Sequence, residues 1–236
     1  MPAWREIENE IAELGPWVTK FTIAGKTFGG AYDALHDDRV SRLPEFFPHC
    51  RRILEVGCLE GGHTTILSRG FPYTEIVAID GKQENLNKAR FLTSLFGGQR
   101  VRFAREDLET AELTKYGHFE AVVCLGLLYH LEEPWNFLKR VGAQTDGLWI
   151  WANYCDETAA TEQWGKYRGR IYLEGDPADP RTALRRRSFF PTLGSLVQML
   201  QAAGFLDFRL MNLEETPNGP AIIIAANKQP FRLPGM

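Results

Sequence analysis

The chain has 236 residues, of which 44% are hydrophobic and 24% are charged. This length and composition are typical of a globular α/β protein with a well-buried core, and they exclude a disordered or fibrous chain. With 27 basic and 30 acidic side chains, the net charge of -3 gives no general attraction to nucleic acid, so a nucleic-acid partner would need a local basic patch.

The first residues show no basic segment followed by an apolar one, and no run approaches the roughly 20 apolar residues of a membrane span. We therefore expect a cytoplasmic protein without a membrane partner. The four cysteines are far apart and form no C-x-x-C pair, which favours buried free thiols over disulfides or zinc. No histidines and carboxylates have metal-ligand spacing, so no metal site is predicted. The oligomeric state stays open.

Apolar residues at helical spacing predict a short helix over residues 4–14, which Gly15-Pro16 ends. We expect residues 17–23 to be extended, residues 24–30 to form a loop and residues 33–47 to be helical in part. Gly25-Lys26-Thr27 is similar to the end of a phosphate-binding P-loop, but Lys20 stands where that motif requires a glycine. A P-loop is therefore rejected.

From residue 51 onward, strand-like apolar runs alternate with helical stretches. The predicted strands are 53–56, 76–79, 101–103, 121–125 and 148–151, and the predicted helices lie near 62–70, 83–96, 108–116 and 132–141. This alternation predicts an α/β fold with a doubly wound, Rossmann-like and mostly parallel sheet. In such sheets ligands bind beyond the carboxyl ends of the strands.

The first of these strands ends in an acid and several glycines, in the stretch Glu55-Val56-Gly57-Cys58-Leu59-Glu60-Gly61. Glycines let the backbone approach a ligand closely, and the start of the following helix presents free N–H groups. This turn is therefore predicted to hold a nucleotide-like cofactor. The dinucleotide fingerprint needs glycines at 57, 59 and 62, and Leu59 breaks it.

Residues 153–190 interrupt the alternation, because they are polar, aromatic and basic without a clear period. An insertion of this length predicts a lid over the substrate. Pro191-Thr192 then opens a helix that Gly204 closes, and strands near 208–211 and 221–225 complete a seven-stranded sheet. We expect one domain with four parts: an N-terminal helical segment (1–50), a cofactor-binding core (51–152), the lid insertion after the fifth strand (153–190), and the last helix and strands (191–236).

The spacing Glu55-x-Gly57-x-x-x-Gly61 resembles the first motif of the class I S-adenosylmethionine-dependent methyltransferases. Asp80 ends the second core strand, where this family's acid accepts from both ribose hydroxyls of the cofactor. Asp107 follows the third core strand, where the family's acid accepts from the adenine amino group. Glu106 beside it is the alternative.

The segment 126–131 follows the fourth core strand, at the family's position beside the transferred methyl group. Four motifs in this order make the resemblance specific. It implies S-adenosyl-L-methionine as cofactor. The cofactor-binding residues that it implies are Glu55, Gly57, Cys58, Gly61, Asp80, Gly81, Asp107, Leu108 and Leu125.

Two residues of the 126–131 segment are the candidate catalytic residues. His130 is either a base for a hydroxyl acceptor or a structural histidine, and Tyr129 either shapes the methyl site or donates its hydroxyl to the substrate. In the lid, Trp164, Tyr167 and Arg187 are candidate substrate residues. The aromatic rings either pack the lid or stack on a substrate ring, and the arginines either are solvated or contact an acidic substrate.

The segments 188–192 and 204–205, together with Leu128-Tyr129-His130, look like a methyltransferase subgroup that includes the tRNA wobble-uridine carboxymethyltransferases. The leading hypothesis is methyl transfer to a small-molecule hydroxyl or amine. One alternative is a tRNA-modifying (carboxy)methyltransferase, against which the acidic balance counts. Another is a non-catalytic, methyltransferase-like protein, supported only by Leu59, because a positive φ there costs on the order of 1 kcal/mol or more.

Overall fold

The computed structural model describes residues 4–71 and 74–231. The N-terminal segment consists of helix α1 (Trp4–Leu14), strands β1 (Lys20–Ile23) and β2 (Lys26–Gly29), two 3-10 turns (Ala34–His36 and Asp38–Val40) and the short helix α2 (Leu43–Phe46). The helix over residues 4–14 is confirmed, whereas residues 26–29 form a strand where a loop was expected. The reason is the turn: Ala24 and Gly25 have φ of 48° and 80°, the pair of positive values that joins two strands directly.

From residue 52 the chain alternates strands and helices, as predicted. The elements are β3 (Arg52–Val56), α3 (Gly62–Gly70), β4 (Glu75–Asp80), α4 (Gln83–Leu95), β5 (Val101–Arg105), β6 (Phe119–Leu125), α5 (Pro134–Gly142), β7 (Thr145–Asn153), β8 (Glu162–Trp164), β9 (Tyr167–Leu173), β10 (Arg187–Pro191), α6 (Leu193–Ala202), β11 (Asp207–Thr216) and β12 (Gly219–Asn227).

The central sheet has seven strands in the order β11-β12-β7-β6-β3-β4-β5. The pairs β5–β4, β4–β3, β3–β6 and β6–β7 are parallel, whereas β12 runs antiparallel to β7 and to β11. Central residues such as Ile53, Val77, Val122 and Leu148 are buried, because both faces of the parallel strands are covered. This is the mostly parallel, Rossmann-like sheet that the sequence predicts.

The helix predicted over residues 108–116 is absent, and only a 3-10 turn forms at Leu113–Tyr116. The Asp107 side chain accepts from the backbone N–H of Glu109 at 3.0 Å, and its carbonyl accepts from Ala111 at 2.7 Å. The side-chain bond of Asp107 to the backbone gives this segment an alternative to the helix.

The insertion after β7 carries a separate antiparallel sheet in the order β10-β9-β8. Between β9 and β10, residues 174–186 cross over the carboxyl edge of the central sheet, and we call this segment the lid loop. Two hydrogen bonds hold the lid loop against the beginning of α4. The ammonium of Lys82, just before the helix, donates to the carbonyl of Asp179 at 2.5 Å, and the amide of Asn85 donates to the carbonyl of Pro180 at 3.1 Å.

Glu60 is fully buried between the N-terminal segment and the core. Its carboxylate accepts from the backbone N–H groups of Val18 at 2.9 Å and Thr19 at 2.6 Å, and it pairs with the ammonium of Lys88 on α4 at 2.8 Å. A buried carboxylate is tolerated only when donors of this kind replace water. Glu60 therefore fixes residues 18–19 beside the turn that follows β3.

All four cysteines are buried and free, which confirms the prediction of buried thiols. Burial raises the pKa of Cys58 and that of Cys124, the latter to about 12, so both thiols stay protonated. Within residues 4–71 and 74–231, no helix has the length and apolar character needed to cross a membrane.

The turn between β3 and α3 requires the conformation that is costly for a leucine. Leu59 has φ of 48°, and its N–H donates to the Asp80 carboxylate at 2.9 Å. Gly61 follows with φ of 79°, and an added Cβ there would lie 2.8 Å from the backbone of Ala89. The first position tolerates a side chain under strain, whereas the second has no room for one.

Replacing Leu59 will show the strain directly. We expect Leu59→Gly to have a free energy of unfolding about 1 kcal/mol higher than Leu59→Ala, since only alanine keeps the penalty of the left-handed region. At ordinary positions the order is reversed, with glycine less stable than alanine by about 0.5–1 kcal/mol. Urea unfolding of the two variants measures the difference, and an alanine variant more stable than the glycine variant contradicts the expectation.

Glu55 provides a pH-dependent prediction. It is buried and accepts from the Thr64 hydroxyl at 2.5 Å. Burial, with a smaller contribution from Asp80, raises the pKa of Glu55 to about 8 against the effect of that hydrogen bond. An unfolded glutamate titrates near 4.3, so between about pH 4.5 and 8 only the unfolded chain releases this proton, and stability falls as pH rises.

Glu55→Gln removes that pH dependence. We expect the difference in free energy of unfolding, variant minus wild type, to grow between pH 5 and pH 8 by at least about 1.4 kcal/mol, the value of one pKa unit. Urea unfolding at both pH values measures it, with the exposed Glu157→Gln as matched control. A difference that is the same at both pH values would show that Glu55 is ionised in the folded protein.

Candidate active site at the carboxyl edge of the sheet

A cavity of about 780 Å³ lies beyond the carboxyl ends of β3, β4, β6 and β7. Residues at the ends of these strands form its floor, among them Gly57, Asp80, Leu125 and Asn153. The N-terminal segment and the lid loop form its walls and roof. Parallel strands place their carboxyl ends at one edge, which explains why residues far apart in sequence meet here.

Nine of the residues predicted for the site line this cavity. They are Gly57, Cys58, Asp80, Gly81, Asp107, Leu108, Leu125, Tyr129 and His130. The structure thus brings together residues from the ends of β3, β4 and β6 and from the segment after β5. Their individual roles stay predictions.

Asp80 is held in one orientation by three donors. Its carboxylate accepts from the N–H of Leu59 at 2.9 Å, the N–H of Lys82 at 2.9 Å and the side-chain amide of Asn85 at 3.0 Å. Burial raises the pKa of Asp80, and these bonds oppose the shift. A fixed carboxylate at this position is suited to accept hydrogen bonds from a diol.

The wall beside the turn contains a polar atom without a protein partner. The hydroxyl of Thr19 is buried and makes no hydrogen bond within the described part of the chain, and Thr19 lines the cavity next to Leu59 and Glu60. Because buried polar groups are normally paired, this hydroxyl indicates a polar ligand group on this side of the cavity. The site therefore fits a ligand with a polar end near the β3–α3 turn.

The two acids after β5 have different surroundings. Glu106 accepts from the hydroxyl of Tyr116 and pairs with Lys115 at 2.6 Å, so its carboxylate is engaged by the 3-10 turn at residues 113–116. Asp107 instead pairs with Arg185 of the lid loop at 2.5 Å. The carboxylate that meets the lid over the cavity is thus that of Asp107, the preferred candidate.

Two residues predicted to bind a cofactor do not line the cavity. The Glu55 side chain lies on the sheet face that is covered by α3, where it contacts Thr64, because side chains alternate between the faces of a strand. Gly61 serves the close approach of α3 and α4 at Ala89. Glu55 and Gly61 therefore serve the packing of the helices beneath the cavity. The structure does not support direct contact of either residue with a ligand in the cavity.

The three predicted substrate residues also lie outside the cavity wall. The Trp164 ring packs 5.7 Å from the Trp135 ring, and the Tyr167 ring stacks on the same Trp135 ring at 5.9 Å. Arg187 is exposed at the start of β10. Of the two roles considered for these rings, the structure supports packing of the insertion onto α5. The antiparallel pairing of β8 and β9 directs both rings toward that helix.

The opposite end of the cavity is aromatic. The Tyr129 ring lies 5.2 Å from the Phe190 ring and 6.0 Å from the Trp151 ring, and all three residues line the cavity. Burial, as the main cause, raises the pKa of Tyr129 far above its usual value, so its hydroxyl stays protonated. His130 stands beside these rings, 4.6 Å from the ring of Tyr129.

A polar cluster from the N-terminal segment was missed by sequence reasoning. The Asp37 carboxylate accepts from the Tyr32 hydroxyl at 2.7 Å and from Nε of Arg39 at 2.9 Å, and it contacts Nε2 of His63 at 2.9 Å. The Arg39 guanidinium lies 4.3 Å from the Trp151 ring centroid. Tyr32, Arg39 and His63 line the cavity.

This cluster has no net charge. Burial alone would raise the pKa of Asp37, but the bonds from His63 and Arg39 hold it well below its usual value, so Asp37 balances Arg39. Burial lowers the pKa of His63, which stays neutral. The only sequence signal was a run of polar residues ahead of the first core strand, and it gives no indication that Arg39 reaches Trp151.

No group of three His, Cys, Asp or Glu side chains within residues 4–71 and 74–231 lies close enough to hold a metal ion. The cavity offers hydrogen-bond donors and acceptors at one end and aromatic surface with the His130 imidazole at the other.

Comparison with known proteins identifies the family. Residues 53–143 match a family model described as "Methyltransferase domain". An uncharacterised methyltransferase of Mycobacterium tuberculosis is 34% identical over 111 residues, and the match spans 47% of this chain and 50% of that protein. The present chain thus matches about half the length of this relative.

Two solved structures are similar over almost all of the chain. The N-terminal domain of EvdMO1, crystallised in the presence of SAH and D-fucose, is 31% identical with a TM-score of 0.88, and the match covers 97% of this chain and 98% of that domain. The structure of EvdMO1 itself gives a TM-score of 0.72 at 31% identity and is covered to 47% of its length. The chain therefore belongs to the class I S-adenosylmethionine-dependent methyltransferases.

Proposed function

We propose that this protein transfers a methyl group from S-adenosylmethionine to a hydroxyl group of a small, sugar-like acceptor. The observation that carries the proposal is a cavity with two unlike ends, one polar beside the β3–α3 turn and one aromatic with His130. The EvdMO1 domain crystallised in the presence of SAH and D-fucose supports both the cofactor and the class of acceptor.

The polar end has the groups that this cofactor needs. Asp80 would accept from the ribose hydroxyls, the Thr19 hydroxyl would pair with the amino acid end of the cofactor, and Leu108 and Leu125 would contact the adenine. When bound, S-adenosylmethionine supplies a methyl carbon that is already electrophilic, because its positively charged sulfur departs as a neutral thioether. The task left to the protein is to align the acceptor and exclude water.

The aromatic end suits a sugar. Trp151, Tyr129 and Phe190 present flat faces on which the C–H faces of a pyranose pack. Arg39, Asn153 and His130 lie around these rings and offer polar atoms to hydroxyl groups. Since the Arg39–Asp37 pair is neutral overall, this end favours an uncharged polar acceptor over an anion.

The observations do not favour RNA as the acceptor. Arg181 pairs with Asp179 at 2.8 Å and Arg185 pairs with Asp107 at 2.5 Å, so these lid arginines already have acidic partners. The tRNA-modifying activity and the cytoplasmic location stay predictions from the sequence. Leu59, the support for a non-catalytic protein, is accommodated in the turn. We further propose that residues 1–236 form a single methyltransferase domain.

Cofactor binding depends on Asp80. We expect Asp80→Asn to weaken the binding of SAH (S-adenosylhomocysteine) roughly 10- to 100-fold, since a hydrogen bond to a charged group is worth about 1.5–3 kcal/mol. Isothermal titration calorimetry measures the change. The matched control is Glu157→Gln, which removes an exposed carboxylate that does not line the cavity. Equal affinity in Asp80→Asn and wild type, with an intact thermal transition, would place the ribose elsewhere.

Acceptor class is tested by incubating the enzyme with S-adenosylmethionine and D-fucose, D-galactose or catechol, and analysing the products by mass spectrometry. We expect a sugar that has gained one CH₂ unit, and no methylated catechol. Trp151→Ala should raise KM for the sugar roughly tenfold, the equivalent of about 1.4 kcal/mol of lost packing, whereas Trp164→Ala, outside the cavity, should not. Methylation of catechol alone, or of a tRNA transcript, would contradict the proposal.

A further inference from the structure

The lid loop begins with a buried acid that the sequence analysis did not single out. Glu174 directly follows the last residue of β9, and its side chain is only 3% exposed. Its carboxylate oxygens lie 3.0 and 3.1 Å from Nδ1 of His130. The Ser188 hydroxyl donates to the same carboxylate at 2.7 Å, and the N–H of Ala183 donates at 3.3 Å.

These contacts decide which nitrogen of His130 carries hydrogen. Burial alone would raise the pKa of Glu174, but the bonds from His130, Ser188 and Ala183 lower it below its usual value, so Glu174 is ionised at neutral pH. An ionised carboxylate only accepts hydrogen bonds. Nδ1 must therefore be the donor, and in a neutral imidazole Nε2 then has a free lone pair.

The free nitrogen belongs to a residue of the cavity wall. His130 lines the cavity beside Tyr129, and its Nε2 makes no hydrogen bond with any residue of the described ranges. The segment that carries His130 is tied to β10, because the N–H of Phe189 donates to the carbonyl of Leu131 at 2.9 Å. The imidazole is thus fixed by the 3-10 turn on one side and by Glu174 on the other.

Neighbouring groups are less suited to accept a proton. Nε2 of His63 is engaged by Asp37 and by the Tyr32 hydroxyl at 3.0 Å. Tyr129 is a buried phenol whose raised pKa keeps its proton in place. The Glu109 carboxylate, also in the cavity wall, already accepts from the backbone N–H of Glu132.

We propose that Glu174 is the positioning residue of a His130–Glu174 pair, in which Glu174 holds the Nδ1–H tautomer and Nε2 accepts the hydroxyl proton of the acceptor. This inference rests on the proposed function for its substrate. The acceptor oxygen bonds to the methyl carbon with one of its lone pairs, sulfur keeps the electron pair of the broken C–S bond, and the proton passes to Nε2. The resulting imidazolium is stabilised by the Glu174 carboxylate at Nδ1.

The pair depends on the lid loop. His130 belongs to the fixed edge of the sheet, whereas Glu174 belongs to the segment that roofs the cavity and pairs with Asp107 through Arg185. The base is therefore complete only when the lid loop lies in the position described here. Proton abstraction is thereby tied to the position of the lid loop that roofs the cavity.

The first test needs no acceptor. Protein labelled with ¹⁵N-histidine, free of ligand and at a pH where the imidazole is neutral, is examined by long-range ¹H–¹⁵N NMR, with His130→Gln to assign the signal. We expect His130 of the wild type in the Nδ1–H form, the less common tautomer of free histidine. In Glu174→Ala, which leaves Nδ1 without its acceptor, we expect the Nε2–H form to predominate. An Nε2–H signal in the wild type overturns the proposal.

The second test separates kcat from KM with D-fucose and S-adenosylmethionine. We expect Glu174→Gln, which keeps the shape but removes the charge, to lower kcat roughly 10- to 100-fold with little change in either KM, and Glu174→Asp to recover part of the loss. Glu157→Gln, an exposed carboxylate of the same insertion, should match the wild type. An unchanged kcat in Glu174→Gln overturns the proposal.

The two tests distinguish the two levels of inference. If no sugar is methylated and His130 still shows the Nδ1–H form that Glu174→Ala abolishes, the pair stands and the acceptor class is wrong. If sugars are methylated and His130 shows the Nε2–H form, the proposed function stands and the pair is wrong. Thermal melting of each variant separates loss of folding from loss of the proton acceptor.

Discussion

The buried carboxylate of Glu60 is the contact on which the arrangement of the site depends. It joins the backbone before β1, the turn after β3 and Lys88 of α4. Without it, residues 18–19 would have no fixed place beside the turn, and Tyr32 and Arg39, which follow in the same segment, would not be brought to the cavity. The buried Glu60 carboxylate thus orients the N-terminal segment, whose strands β1 and β2 do not join the central sheet.

The periodic part of the chain was predictable because its signals are local. A run such as 76–79 is apolar on both faces, and the glycines and acids at the ends of these runs indicate a binding edge without knowledge of any contact. The placement of Asp80 and Tyr129 at this edge was predicted in this way. Glu55 and Gly61 belong to the same motif but serve packing, since the spacing of a motif does not reveal which of its side chains faces a ligand.

The remainder of the site is built from contacts between distant segments. Arg39 reaches Trp151, and Glu174 reaches His130, across more than forty positions of sequence in each case. A single acid in an irregular polar stretch gives no periodic signal, and its burial is decided by the antiparallel sheet of the insertion. The same sheet directs Trp164 and Tyr167 to Trp135, which is why aromatic composition alone suggested substrate contacts that the structure does not support.

The lid loop connects the two ends of the cavity in one short piece of backbone. Its first residue, Glu174, contacts the imidazole, and Arg185, near its last residue, contacts the acid after β5. Because both contacts belong to this one segment, a movement of the whole loop would break them together and open both ends of the cavity at once.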